Sequence, residues 1–186
     1  MVYLTGGSAK GTKLFSVPGN DVRPATSRMR ISLFDILRGQ IEDSVVVDLF
    51  AGTGSLGLEA LSRGASFASF FDTDSRSISV LRKNLDKLRF SDRASLHQSS
   101  AFFAQTVLKK KVDFVFIDPP YPFYHEKPEE MERLGRAWSE GDLLSPEGIL
   151  LVEHPPRVGW GESLPGLQRV DERSYGGTLV SFYQRF

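Results

Sequence analysis

The chain has 186 residues, 40% hydrophobic and 25% charged, and a formal net charge of zero. Those values suit one globular domain with its own core. The absence of cysteine and the wide spacing of the three histidines, His97, His125 and His154, exclude disulfides, thiolate zinc sites and cysteine nucleophiles and argue against a metal cluster.

Membrane attachment is not expected, because no apolar run reaches roughly 18 residues. MVYLTGGSAKGTKLF is too polar for a signal peptide. A cytoplasmic monomer is expected. Charge is uneven: residues 1–40 carry Lys10, Lys13, Arg23, Arg28, Arg30 and Arg38 against Asp21 and Asp35. A basic arm on a mildly acidic body can meet a polyanion with one face, although such asymmetry is also common on ordinary surfaces.

VYLTGG and TKLFSV read as a hairpin closed by GGSAKG. GNDVRP (19–24) is the candidate hinge between an N-terminal arm (1–24) and the main domain (25–186). Thr26 or Ser27 caps a helix whose apolar face holds Met29, Leu33, Phe34 and Leu37. SVVVDLF is a buried strand, and SLGLEALSRG a helix with Leu56, Ala60 and Leu61 inward, stopped at Gly64. SFASFFD is a second strand, followed by a helix with Ile78, Leu81, Leu85 and Leu88 at helical spacing. ASLHQ, then the helix SAFFAQTVLKK, then the strand VDFVFID continue the alternation. EKPEEMERLGRAW is a helix and EGILLVEH a fifth strand. LQRVDERSYGGTLVSFYQRF is two strands turning at Gly176 and Gly177. Alternating elements with continuously apolar strands predict an α/β fold: a seven-stranded, mostly parallel sheet with an antiparallel last strand and helices on both faces.

DLFAGTGSLG places Gly52, Gly54 and Gly57 in the spacing G-x-G-x-x-G, shared with dinucleotide-binding turns. Ligands of open parallel sheets sit at the carboxyl ends of the strands. Asp48 lies inside the end of the first strand, where a pyrophosphate would find a carboxylate unwelcome and a sulfonium with an ammonium group would not. Asp72, ending FFD, suits ribose hydroxyls of either cofactor. Together these favour S-adenosylmethionine over NAD. Gly57 is assigned to helix-to-sheet packing.

FVFIDPPYPFY is the strongest signal. Asp118 ends a buried strand, and two prolines stiffen the following turn. Methylating an amine on a nucleobase requires its delocalised lone pair to be freed. Asp118 and the Pro119 carbonyl can accept the amine hydrogens, and Tyr121 can stack on the base. Neither metal nor covalent intermediate is needed. His97 and Trp138 are expected to pack, as is Trp160. His125 is read as surface or substrate-facing, and Phe102 and Phe103 as core, with one of them bordering the adenine as the alternative.

DLFAGTGSLGLEALSRGA, FFDTD and FIDPPY resemble class I S-adenosylmethionine-dependent (Rossmann-like) methyltransferases acting on exocyclic amines. TGGSAKGTKLFSVPGNDVRPATSRMRISLFDIL is similar to the arm of the bacterial 16S rRNA guanine-N2 methyltransferase family, the RsmD-like proteins, and SYGGTLVSFYQRF to that family's last strands. The resemblance implies that Asp48, Phe50, Ala51, Gly52 and Gly54 surround the methionine part of the cofactor. Asp72 and Thr73 then bind ribose and flank the adenine, and Ser100 and Ala101 contact the adenine. It also implies that Asp118, Pro119, Pro120 and Tyr121 are catalytic, and that Lys10, Lys13, Arg23, Arg28 and Arg30 contact 16S rRNA phosphates, in naked rRNA or in a small-subunit assembly particle. S-adenosylhomocysteine is the implied product. Ser27 and Ile31 replace acids of the family pattern, and Ser100 an Asp or Asn. Two alternatives stand beside this: N-methylation of another RNA or of DNA adenine or cytosine, and a non-catalytic rRNA-binding or ribosome-assembly role.

Overall fold

The computed structural model describes residues 1–17, 26–158 and 164–186. The proposed hinge, Arg23 and Trp160 lie outside the described residues.

The elements run α1 (Ser27–Ile36), β1 (Val45–Asp48), α2 (Ser55–Ser62), β2 (Phe67–Asp72), α3 (Ser75–Leu88), β3 (Ala94–Gln98), α4 (Ala104–Val107) and β4 (Val112–Ile117). They continue with α5 (Phe123–Glu126), α6 (Pro128–Glu140), β5 (Leu144–His154), β6 (Leu167–Tyr175) and β7 (Thr178–Arg185). The seven strands form one sheet in the order β3-β2-β1-β4-β5-β7-β6. β1 to β5 are parallel, and β7 runs antiparallel to both β5 and β6. This is the seven-stranded, mostly parallel sheet with an antiparallel last strand expected from the sequence.

Alternation along the central strands divides the core in two. Val46, Phe70, Phe116 and Leu151 face the side covered by α1, α2 and α3. Val47, Phe71, Ile117 and Val152 face the side covered by α6, with Trp138 and Met131 fully buried. Both faces are covered, so both sets of side chains are apolar, which is why these strands read as unbroken hydrophobic runs. α1 is capped at Thr26, whose Oγ1 accepts the Met29 N–H at 3.2 Å. α3 buries Ile78, Leu81 and Leu85 and ends at Arg89 in the left-handed region. The outer strand β6 carries exposed Arg169, Glu172 and Arg173, charges that keep a free sheet edge from pairing with another chain.

Three elements depart from expectation. The N-terminal hairpin narrows to one antiparallel bridge, Tyr3 to Lys13. Around it Leu4 N–H donates to the Thr12 carbonyl at 3.0 Å, Leu14 N–H to the Val2 carbonyl at 2.9 Å and Gly11 N–H to the Leu4 carbonyl at 2.9 Å, while Ser8 N–H donates to the Ser62 carbonyl at 2.7 Å and Thr5 N–H to Glu59 at 2.9 Å, tying the hairpin to α2. Val2, Leu4 and Leu14 pack into the same cluster as Phe34 and Phe116. The helix expected over SAFFAQTVLKK is a 3₁₀ turn, Ala101–Phe103, and the single α-turn of α4. The segment before α6 adds the short α5. Among the described residues, no helix is long and apolar enough to cross a membrane.

Candidate active site

β1 and β4 are neighbours, with Asp48 opposite Phe116. The chain leaves β1 for α2 on one face and leaves β4 for α5 and α6 on the other. This divergence opens a crevice at the carboxyl ends of the two strands.

The turn after β1 is held by its own backbone. Leu49 N–H donates to the Phe116 carbonyl at 3.0 Å, Ala51 N–H to Phe71 at 3.0 Å and Gly54 N–H to Ala51 at 2.7 Å. Gly54 caps α2 at φ 81°, and a Cβ there would collide with Leu81, so the position requires glycine on both counts. Gly57 sits where a Cβ would run into the Phe70 ring. That close approach of helix to sheet lets its N–H donate to Asp48 Oδ2 at 3.0 Å. Gly57 therefore both packs α2 on β2 and holds the carboxylate beneath the loop.

Asp48 is 2% exposed and lies under the loop rather than at its surface. Burial raises its pKa from 3.8 to about 7; the Gly57 hydrogen bond opposes this and the nearby Asp72 charge adds to it. Asp72 accepts the Gly52 N–H at 2.7 Å with one oxygen and the Asp74 N–H at 2.8 Å with the other. At Gly52, half-buried with φ 51°, the space a Cβ would occupy is open for 4 Å. A backbone cradle open at Gly52, with one carboxylate below and one beside it, fits a nucleoside bearing a cationic sulfonium and ammonium. Thr73 is exposed on the same rim. Ala101 is buried, and the Ser100 hydroxyl accepts the Phe102 N–H at 3.4 Å, so this serine caps its own turn. Asn84, fully buried, donates to the Thr53 and Phe15 carbonyls at 3.1 Å and joins α3 to both the loop and the N-terminal segment.

The second half of the crevice is DPPY. Asp118 is half-buried, Pro119 buried, Pro120 exposed and Tyr121 half-buried. Beyond them the turn closes on itself: Phe123 N–H donates to Pro120 at 2.9 Å and Tyr124 N–H to Tyr121 at 3.2 Å. Neither bond uses the Pro119 carbonyl. The Asp118 carboxyl is held well above the usual carboxylate range by burial, then by the charge of Glu153 and a hydrogen bond with it, then by Asp48.

Glu153 is the site residue that sequence reasoning missed. The register Ile117 to Val152 brings it beside Asp118. Tyr121 Oη donates to its Oε1 at 3.4 Å, and Tyr124 Oη donates to its backbone carbonyl at 2.6 Å. The available signal was an acid directly after the apolar run 149–152 near the carboxyl end of β5.

Aromatic side chains line the neighbouring rim. Phe50 meets Phe102 and Phe123 edge-on at 6.2 and 6.0 Å, and Lys127 Nζ lies 4.7 Å above Phe123. Phe102 is half-buried and packs against the core on the α6 side while bordering the rim, whereas Phe103 is 59% exposed and is not core. The 3₁₀ turn leaves the Phe103 ring outside. His97 stacks on Phe71 at 4.5 Å, Trp138 is buried, and His125 is exposed.

Lys10, Lys13 and Arg28 are exposed. Arg30 is not available to a phosphate. It is 1% exposed, donates to the Tyr3 carbonyl at 2.7 Å and lies 3.8 Å from Glu59, itself fully buried and bridged to Arg63 at 2.8 Å. The α1 position that looked like surface charge faces inward because α2 supplies a buried partner. Arg30 fastens the N-terminal segment to the domain.

Comparison with known proteins agrees with this architecture. The family described as conserved hypothetical protein 95 matches residues 2–184. Ribosomal RNA small subunit methyltransferase D of Escherichia coli K12 is 36% identical over 185 residues, covering 99% of this chain and 90% of the relative. Its Haemophilus influenzae namesake is 34% identical over 155 residues, covering 82% and 78%. The solved structure of "Putative methyltransferase yhhF from Escherichia coli" superposes with a TM-score of 0.84 at 30% identity, covering 99% of this chain and 97% of that one. The chain belongs to the conserved hypothetical protein 95 family and is a methyltransferase of the class I fold.

Proposed function

We propose that this protein transfers a methyl group from S-adenosylmethionine to the N2 amine of a guanine in 16S rRNA. The observation that carries the reading is the position of Asp118: an acidic side chain at the end of β4, one strand from the glycine turn of β1 and fixed by a proline-stiffened loop. The names of the Escherichia coli and Haemophilus influenzae relatives support rRNA as the substrate class.

When bound, S-adenosylmethionine supplies an electrophilic methyl on a sulfonium. Asp48, Phe50, Ala51, Gly52 and Gly54 hold its methionine end, Asp72 and Thr73 its ribose, and Ser100 and Ala101 its adenine. Asp118 and the Pro119 carbonyl accept the two hydrogens of the amine, draw its lone pair out of the ring and aim it at the methyl carbon. As the N–C bond forms and the S–C bond breaks, the Asp118 carboxylate takes the proton the amine loses and passes it to water. A carboxyl held above its usual range is better matched to that task near neutral pH than an ordinary one. Pro120 keeps the loop rigid, and Tyr121 stacks on a base turned out of its helix. Lys10, Lys13 and Arg28 meet phosphates.

The test is transfer of tritiated methyl from S-adenosylmethionine to small-subunit particles lacking the modification. Wild type should label them, and Asp118→Ala should lose the transfer while still binding the cofactor. Label on DNA but not on particles, or no label anywhere, overturns the reading.

A further inference from the structure

We infer that Glu153 is the residue that selects guanine, by accepting its N1–H while Asp118 accepts from N2. The inference rests on the guanine-N2 reading above and names the specificity device of that same site.

The sheet sets the pair. Ile117 on β4 is in register with Val152 on the parallel neighbour β5, so Asp118 and Glu153 follow as the next pair across the ladder. Parallel strands lie about 4.8 Å apart. Ile117 and Val152 both point into the α6 side of the core. By alternation Asp118 and Glu153 both point to the other side, where they border one hollow with Met29, Leu33, Leu56 and Val180. Two carboxylates therefore stand side by side on one face, backed by apolar walls.

Tyr121 of the DPPY turn and Thr178 of β7 each donate to Glu153 Oε1 at 3.4 Å, which ties the glutamate to the loop that holds the base. In the empty site burial and the neighbouring acids hold Asp118 well above its usual carboxylate range, and its hydrogen bond with Glu153 keeps one proton between the two carboxyls; a substrate edge with two donors displaces that proton and leaves both carboxylates as acceptors.

The chemistry of the bases decides which edge does this. Two adjacent acceptors call for two adjacent donors on one edge, one of them on an exocyclic amine. Guanine offers N1–H next to its N2 amine. Adenine and cytosine each offer an amine next to a ring-nitrogen lone pair, which a carboxylate repels. Uracil has a ring N–H but no amine. Of the four bases, only guanine matches both carboxylates and can also be methylated on an amine. Enzymes that work on extruded bases read this same Watson–Crick edge. A polar site built around a substrate N–H rejects analogues lacking that group strongly, because its own buried group is then left unpaired.

The experiment replaces the methylated guanine of reconstituted small-subunit particles with 2-aminopurine, which keeps the amine and puts a lone pair at N1. Wild type should prefer guanine over 2-aminopurine by roughly a hundredfold in kcat/KM. Glu153→Gln can either accept from N1–H or donate to a bare N1. It should lower kcat/KM on guanine by roughly tenfold to a hundredfold and leave 2-aminopurine unchanged or improved, shrinking the preference to a few-fold. A wild-type preference in Glu153→Gln, whatever its absolute rate, overturns the inference. If that variant does not fold, wild type alone decides: a preference below about threefold overturns it. If wild type labels neither particle, the proposed function itself fails and the assignment of Glu153 falls with it.

Discussion

Replacing Asp48 with asparagine should stabilise this protein while weakening its hold on the cofactor. Asparagine keeps a carbonyl oxygen for the Gly57 N–H, which now reaches Asp48 Oδ2 at 3.0 Å, and removes only the charge. Burial raises the Asp48 pKa from 3.8 to about 7, so the folded protein holds this proton more tightly than the unfolded chain does. The associated stability is complete below about pH 3.8 and is lost as pH rises to about 7. Above that, wild type bears the whole cost of a buried anion, about 4 kcal/mol at roughly 1.4 kcal/mol per tenfold change in proton affinity. The Asp48→Asn variant has nothing to titrate at this position. The stability difference between variant and wild type should therefore widen by about 2 kcal/mol between roughly pH 5.5 and pH 8.5. Urea unfolding of both proteins across that interval measures it, and binding of labelled S-adenosylmethionine should weaken in the variant. A difference that stays constant with pH refutes the argument that Asp48 is ionised at a cost beneath the loop.

Gly57→Ala should destabilise by about 1–3 kcal/mol in chemical denaturation, because the new methyl meets the Phe70 ring in a packed layer. Arg30→Met should cost about 3 kcal/mol by the same measurement, since it strips the buried Glu59 of its one fully buried cation and leaves it only the half-buried Arg63. It should leave the salt dependence of RNA binding unchanged. Lys10→Ala with Lys13→Ala should do the reverse: each lost phosphate contact should lower the slope of log affinity against log salt by about 0.7–0.9, with thermal stability unaltered.

Most of the fold was legible because its central strands are covered on both faces. Such strands must be apolar throughout, and the helices between them show their 3.6-residue rhythm, as α3 does with Ile78, Leu81 and Leu85. The glycine turn and DPPY were legible because unusual backbone demands leave unusual residues, such as Gly54 at positive φ. What stayed hidden depends on partners remote in sequence. Arg30 reads as surface charge until Glu59 is found beside it, 29 residues along. Glu153 has no local signature; its meaning comes from the register of β5 on β4. Phe102 and Phe103 look alike in composition, yet in the 3₁₀ turn Phe102 packs against the core and Phe103 is left exposed.

The adjacency of β1 and β4 has a consequence for tolerance to change. The glycine turn and the DPPY turn spring from two strands locked in register from Val46 opposite Phe114 to Asp48 opposite Phe116. The gap between the glycine turn and the DPPY turn is thus set by adjacent strands of a hydrogen-bonded ladder. A ladder acts as a ruler: its spacing is set by peptide geometry and is indifferent to which side chains it carries. Insertions in distant surface loops can alter what docks on the protein without altering the spacing of the two turns. A one-residue slip between these two strands would do the opposite, preserving the surface while turning Asp118 to the wrong face of the sheet.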